Sequence, residues 1–149
     1  MLKSILAIIV SYIAMFAIFM AIFTCLYFML GIERVFRADS YEVSMLWIVL
    51  TLVIGFVVSM FSGYLCAAIS KSWRTCQVFA LIVFILALIH CFSALRRNNP
   101  DAPNTRAGEV TMFEAMSLAV MPLWLHFVNP ILSGAAVLVG ARMKRRDSA

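Results

Sequence analysis

The sequence predicts an all-α polytopic membrane protein, a bundle of four transmembrane helices. Three observations carry that reading. Of 149 residues, 64% are hydrophobic and 13% charged, with a mean hydropathy of +1.01; a soluble domain carries about a quarter charged residues and about half apolar ones. The apolar residues fall into four long blocks rather than short alternating stretches. Each block supplies roughly the 20 helical residues that cross a hydrocarbon core of about 30 Å. In lipid the backbone must bond within its own segment, so every block is read as a helix, and no alternating β-barrel pattern competes. A chain of this length makes one bundle, with residues 1–149 as a single domain and spans near 4–30, 45–70, 76–95 and 117–141.

The first block runs from Leu2 to Leu30, broken only by Lys3 and a few small hydroxyl or thiol residues. A cleaved signal peptide has an apolar region of about 7–15 residues and a small-residue cleavage site. This block is longer and continues through Phe23, Leu26, Tyr27 and Phe28, so an uncleaved anchor helix is expected. Gly31 ends it, and Glu33, Arg34, Arg37, Asp39 and Glu42 make a short charged loop. The second block, from about Met45 to Ser70, ends in the basic turn Lys71-Ser-Trp-Arg74. The third, from about Cys76 to Leu95, stops at Arg96-Arg97, and the turn-rich stretch from Asn98 to Asn104 follows. Before the fourth block, Thr111 and Glu114 match a capping box. Residues 105–116 either lie flat on the surface or extend the fourth helix. That helix closes in Arg142-Met-Lys-Arg-Arg146.

Four spans place both termini on one side. That side holds Lys3, Lys71, Arg74, Arg142, Lys144, Arg145 and Arg146, against Arg34, Arg37, Arg96, Arg97 and Arg106 on the other. The excess of Lys and Arg predicts cytoplasmic termini, and it accounts for the net charge of +5 without a nucleic-acid partner. Trp47 and Trp73 are expected in the interfacial belts.

Helices in lipid associate by close contact between small residues. In the second span Gly55, Ser59, Gly63 and Ala67 recur every fourth residue and predict a packing groove. In the first, Ala7, Ser11, Ala14, Ala21 and Cys25 make a small face that should turn inward. The bulky stripe Tyr12, Phe16, Phe19, Phe23 and Tyr27 should face lipid or an oligomer contact. In the third, Ala80, Ala87, Cys91 and Ala94 share a face.

The strongly polar residues well inside the spans are His90, His126 and Asn129. Such residues are costly in a membrane and are binding or catalytic candidates. In Pro122-Leu-Trp124-Leu-His126-Phe-Val-Asn129-Pro130, each proline removes one helical hydrogen bond. Pro130 would free the His126 carbonyl and Pro122 that of Leu118. His126 and Asn129 share a face and either satisfy this kinked backbone or line a binding pocket at it. His90 and His126 also supply two imidazoles of the kind a haem or metal takes. A single histidine near the headgroups is the commoner arrangement, and no metal or cofactor is expected. Of the four cysteines, Cys25 and Cys91 both sit near the outer ends of their spans on small faces, where a disulfide would be allowed.

The stretch Gly63-Tyr-Leu-Cys-Ala-Ala-Ile-Ser-Lys71 resembles the end of the second span in a group of uncharacterised small four-helix bacterial membrane proteins. Pro122-Leu-Trp124 and Gly140-Ala-Arg142 resemble the corresponding last span. The resemblance implies a bacterial inner membrane and no activity. The chain lacks the polar span motif of membrane glutathione transferases. It also lacks the paired loop cysteines of quinone-linked disulfide oxidoreductases and the first-span acid of small multidrug transporters. The expectation is therefore a non-enzymatic structural or accessory membrane protein, set in a lipid bilayer with a membrane-protein partner or a second copy. The competing reading is a small transporter, or a binder of lipid or small molecules, using the kinked fourth helix.

Overall fold

A computed structural model describes residues 2–38, 40–97 and 118–146. The described residues form five helices: α1 (Leu2–Leu30), the single turn α2 (Ile32–Val35), α3 (Met45–Ser70), α4 (Trp73–Arg97) and α5 (Leu123–Arg146). Among them, four are long and apolar enough to cross a membrane. The fold is thus an all-α bundle of four long helices. The Thr111–Glu114 capping box and residues 105–116 lie outside the described residues.

The central element is α3, against which both α1 and α5 pack, while α4 lies along α5. The reason is the small-residue groove. A Cβ added at Gly63 would overlap the Val137 carbonyl of α5, and one added at Gly140 would overlap the Met60 carbonyl of α3. The two backbones therefore touch at a reciprocal pair of glycines, the close approach that drives helix association in lipid. Ser59, Gly63 and Ala67 are buried as the spacing predicts. Gly55 meets nothing within 4 Å, so the groove stops short of it. On α4, Ala80 and Cys91 are buried as expected, with Ala87 and Ala94 half-buried.

The face of α1 differs from the sequence expectation. Ala7 and Ser11 turn inward, but in the second half of the helix Phe23 and Tyr27 are buried while Ala21 and Cys25 are exposed. The buried residues keep a four-residue stride, which turns about 40° further round a 3.6-residue helix at each step. Over the length of α1 the contact stripe therefore crosses from the small face to the aromatic one. In the first half the Ser62 hydroxyl donates to the Ser11 carbonyl at 2.9 Å. In the second half Phe23 meets the Trp47 ring edge-on at 5.3 Å between centroids. Trp47 is thus buried in an aromatic core rather than placed in an interfacial belt.

The charged loop between α1 and α3 is a folded cap. Phe36 and Val43 pair antiparallel, and the Ser44 N–H donates to the Val35 carbonyl at 2.8 Å. The Ser44 hydroxyl caps α3 by accepting from the Trp47 N–H at 3.2 Å and itself donates to the Arg34 carbonyl at 2.6 Å. Val35, Phe36 and Val43 turn down onto Phe23, Tyr27, Trp47 and Leu125. The charges point outward, where Arg37 and Glu42 pair at 2.8 Å.

The fourth long helix begins at Leu123 rather than near 117, and continues to Arg146 rather than stopping near 141. Its approach is extended: the Val120 N–H donates to the Tyr41 carbonyl at 2.9 Å, and the Val43 N–H to the Val120 carbonyl at 3.2 Å. Pro122 therefore frees no helical carbonyl. It stands at the helix entrance, where its missing N–H costs nothing, and its own carbonyl accepts from the Leu125 N–H at 3.0 Å.

Candidate functional site

Chemistry-bearing side chains gather at two levels of the bundle. The upper level is the first half of α5. Pro130 is buried inside the helix, so the His126 carbonyl loses its usual partner. His126 and Asn129 are half-buried, Trp124 is half exposed, and His90 on α4 is exposed. Among the described residues no hydrogen bond joins His126 to Asn129, and no group of three or more His, Cys, Asp or Glu comes together. Pro122, at the entrance, is separated from this turn by the start of the helix.

The lower level is the end that carries both α1's beginning and α5's end. The tight turn at Lys71, whose backbone is left-handed at φ 53°, closes α3 and lets α4 start at Trp73. This brings Cys66, in the penultimate turn of α3, to face Cys76, in the first turn of α4. Both are buried with Ala7, Ala67, Phe79 and Ala141. The Cys76 thiol donates to the Ser72 carbonyl at 3.3 Å, and the Ser70 hydroxyl to the Cys66 carbonyl at 2.7 Å. Ser11 is fully buried, with its hydroxyl beside the Cys66 thiol. All four cysteines are free thiols. Cys25 and Cys91, the pair singled out by sequence, are one exposed and one buried. The Cys66–Cys76 neighbourhood was legible only as the ends of two spans joined by a two-residue turn.

Beneath the thiols lies the basic end. Lys3, Lys71, Arg74, Arg142, Lys144, Arg145 and Arg146 cluster there, and the described acids Glu33 and Glu42 sit at the opposite end. Two of these cations rest on aromatic faces: Arg145 over Trp73 at 5.3 Å and Lys144 over Tyr64 at 5.5 Å. Such contacts hold the charges at the bundle's end while their stems stay in apolar surroundings. Compared with family models, with characterised proteins and with solved structures, the chain matches none.

Proposed function

We propose that this chain is an accessory protein of the bacterial inner membrane, with both termini cytoplasmic, that associates with another membrane-spanning helix through α1. The observation that supports it most is how α1 sits. Only 11% of its most apolar stretch is buried, against 28–33% for the other three spans. It packs on α3 along one winding stripe and leaves Ile5, Ile9, Ile13, Phe16 and Met20 exposed as a continuous apolar face. Lipid covers such a face, but so does a second helix, and an edge helix held chiefly by one long neighbour is the element most easily shared. A photo-crosslinking residue placed at Ile9, Ile13 or Phe16 in native membranes should yield one discrete adduct with a second polypeptide. The same residue at Val53 on α3 should not. Adducts with lipid alone at all positions would rule the reading out.

The orientation rests on the basic end and is checked by a C-terminal reporter active only in the cytoplasm. A second reading, a binding site at the α5 kink, is favoured by two half-buried polar side chains beside the carbonyl that Pro130 leaves free. It expects His126→Ala to abolish a transport or binding phenotype while the protein still accumulates.

A further inference from the structure

We propose that a groove between α4 and α5 holds one anionic glycerophospholipid, its acyl chain between the two helices and its phosphate on Arg74, Arg142 and Arg145. The inference is independent of the α1 reading and concerns a groove that α1 does not line.

The groove has a volume of about 360 Å³ and apolar walls, formed chiefly by Ala80, Leu81 and Phe84 on one side and Ile131, Gly134 and Leu138 on the other. It exists because Gly134 presents no side chain to α4. A Cβ added there would first meet Phe84 at 3.6 Å, ordinary contact distance. An apolar gap of this kind does not hold water. Open to the bilayer, it is filled by hydrocarbon.

The basic end supplies the other half of the site. On α4, Gln77 closes the groove, and Arg74 and Trp73 precede it by one turn on the same stripe. On α5, Arg142 and Arg145 continue the stripe that ends at Leu138. At 1.5 Å per residue these arginines stand about 5–10 Å beyond the groove, where headgroups lie above their chains. The Arg145 guanidinium is already held there by the Trp73 ring. Arg74 and Arg142 are exposed, and none of the described acids lies at this end. Gln77 is an exposed amide inside an apolar span, between the chain groove and the arginines. Polar groups in spans rarely face bare lipid, and this one sits at the level of the glycerol esters.

The dimensions favour a lipid over a helix. From Gln77 to Phe84 the groove runs about 10 Å, two helical turns, whereas a crossing helix needs a seat of about 20 residues. Charge then selects the lipid. A phosphate with no cation of its own is attracted by all three arginines, whereas the choline of a zwitterionic lipid is repelled.

The test uses the full chain, purified and delipidated in non-ionic detergent, with palmitoyl-oleoyl phosphatidylglycerol or phosphatidylcholine added at equal concentration. Native mass spectrometry should show one phosphatidylglycerol retained in preference to phosphatidylcholine. Each basic side chain near an anionic lipid surface is worth about five-fold in affinity, so the Arg74→Ala, Arg142→Ala, Arg145→Ala triple variant should bind about 100-fold more weakly. Ala135→Phe, at an exposed position on the groove wall, should lose the lipid without altering an arginine. Leu81→Trp, exposed on the facing wall, fills the same space if Ala135→Phe does not fold. An Arg34→Ala, Arg37→Ala double variant at the other end should bind as the wild type does. Equal retention of both lipids would overturn the proposal. So would undiminished phosphatidylglycerol binding in a folded groove-filled variant, or loss of a bound polypeptide instead of a lipid from that variant. None of these outcomes depends on crosslinking at α1.

Discussion

At the scale of single residues, the bundle depends on a few positions where size is decisive. A methyl group at Gly63 or Gly140 would have to displace a backbone carbonyl of the facing helix, which cannot rotate away as a side chain would. Gly63→Ala and Gly140→Ala should each destabilise the protein by about 1–3 kcal/mol, the usual cost of overpacking, measured by unfolding in mixed micelles. Gly55→Ala, with open space around it, should instead be neutral or stabilising by up to about 1 kcal/mol through helix propensity. The Ser62–Ser11 contact offers a second pair of opposed outcomes. Ser62→Ala removes an interhelical hydrogen bond, worth about 0.6 kcal/mol in membranes and at most about 1.7. Ser11→Ala removes a hydroxyl buried beside the Cys66 thiol but leaves the accepting carbonyl in place, so the Ser62 bond should survive it. Thiol accessibility separates the cysteines. Cys66, Cys76 and Cys91 are buried and should react with a maleimide only after unfolding, whereas Cys25 lies exposed near the end of α1.

At the scale of elements, helix ends carry more information than helix middles. The cap between α1 and α3 rests on buried aromatic packing rather than on its charges. The Arg37–Glu42 pair is more than half exposed on both sides, and exposed pairs contribute about 0–1 kcal/mol. Arg37→Ala should therefore leave the unfolding midpoint almost unchanged. Phe36→Ala empties a fully buried site under the cap and should cost about 3–5 kcal/mol. The contrast, read in one thermal series, distinguishes a packed cap from a loop tethered by charge. The start of α5 shows how easily a helix boundary is misplaced. Residues 119–121 are apolar enough to pass for helix, but the pairing of Val120 with Tyr41 and Val43 and the proline that follows hold them out of it.

At the scale of the whole molecule, the bundle is asymmetric. All three other long helices pack on α3, α4 more lightly than α1 and α5; α4 leans chiefly on α5, and α1 remains an edge. Charge is asymmetric too, with the described acids at the cap and seven basic residues at the other end. The edge helix and the basic groove are therefore separate surfaces. Deleting the function of one should leave the other intact, which crosslinking at Ile13 and lipid retention on the same purified variants will check.

Composition and block length alone determined the four-helix class, because in lipid an apolar segment of sufficient length has only one way to satisfy its backbone. The four-residue spacing of Gly55, Ser59, Gly63 and Ala67 named a packing seam of which only the last three lie in the contact, since close approach needs small residues at that interval but does not say where it ends. The tertiary structure decided which face of α1 turns inward, since a winding stripe depends on the crossing angle with α3. It also decided that Trp47 is core, that Pro122 stands outside its helix, and that Cys66 meets Cys76. Each of these depends on contacts between segments distant in sequence, and hydropathy, being a property of one segment at a time, carries no record of them.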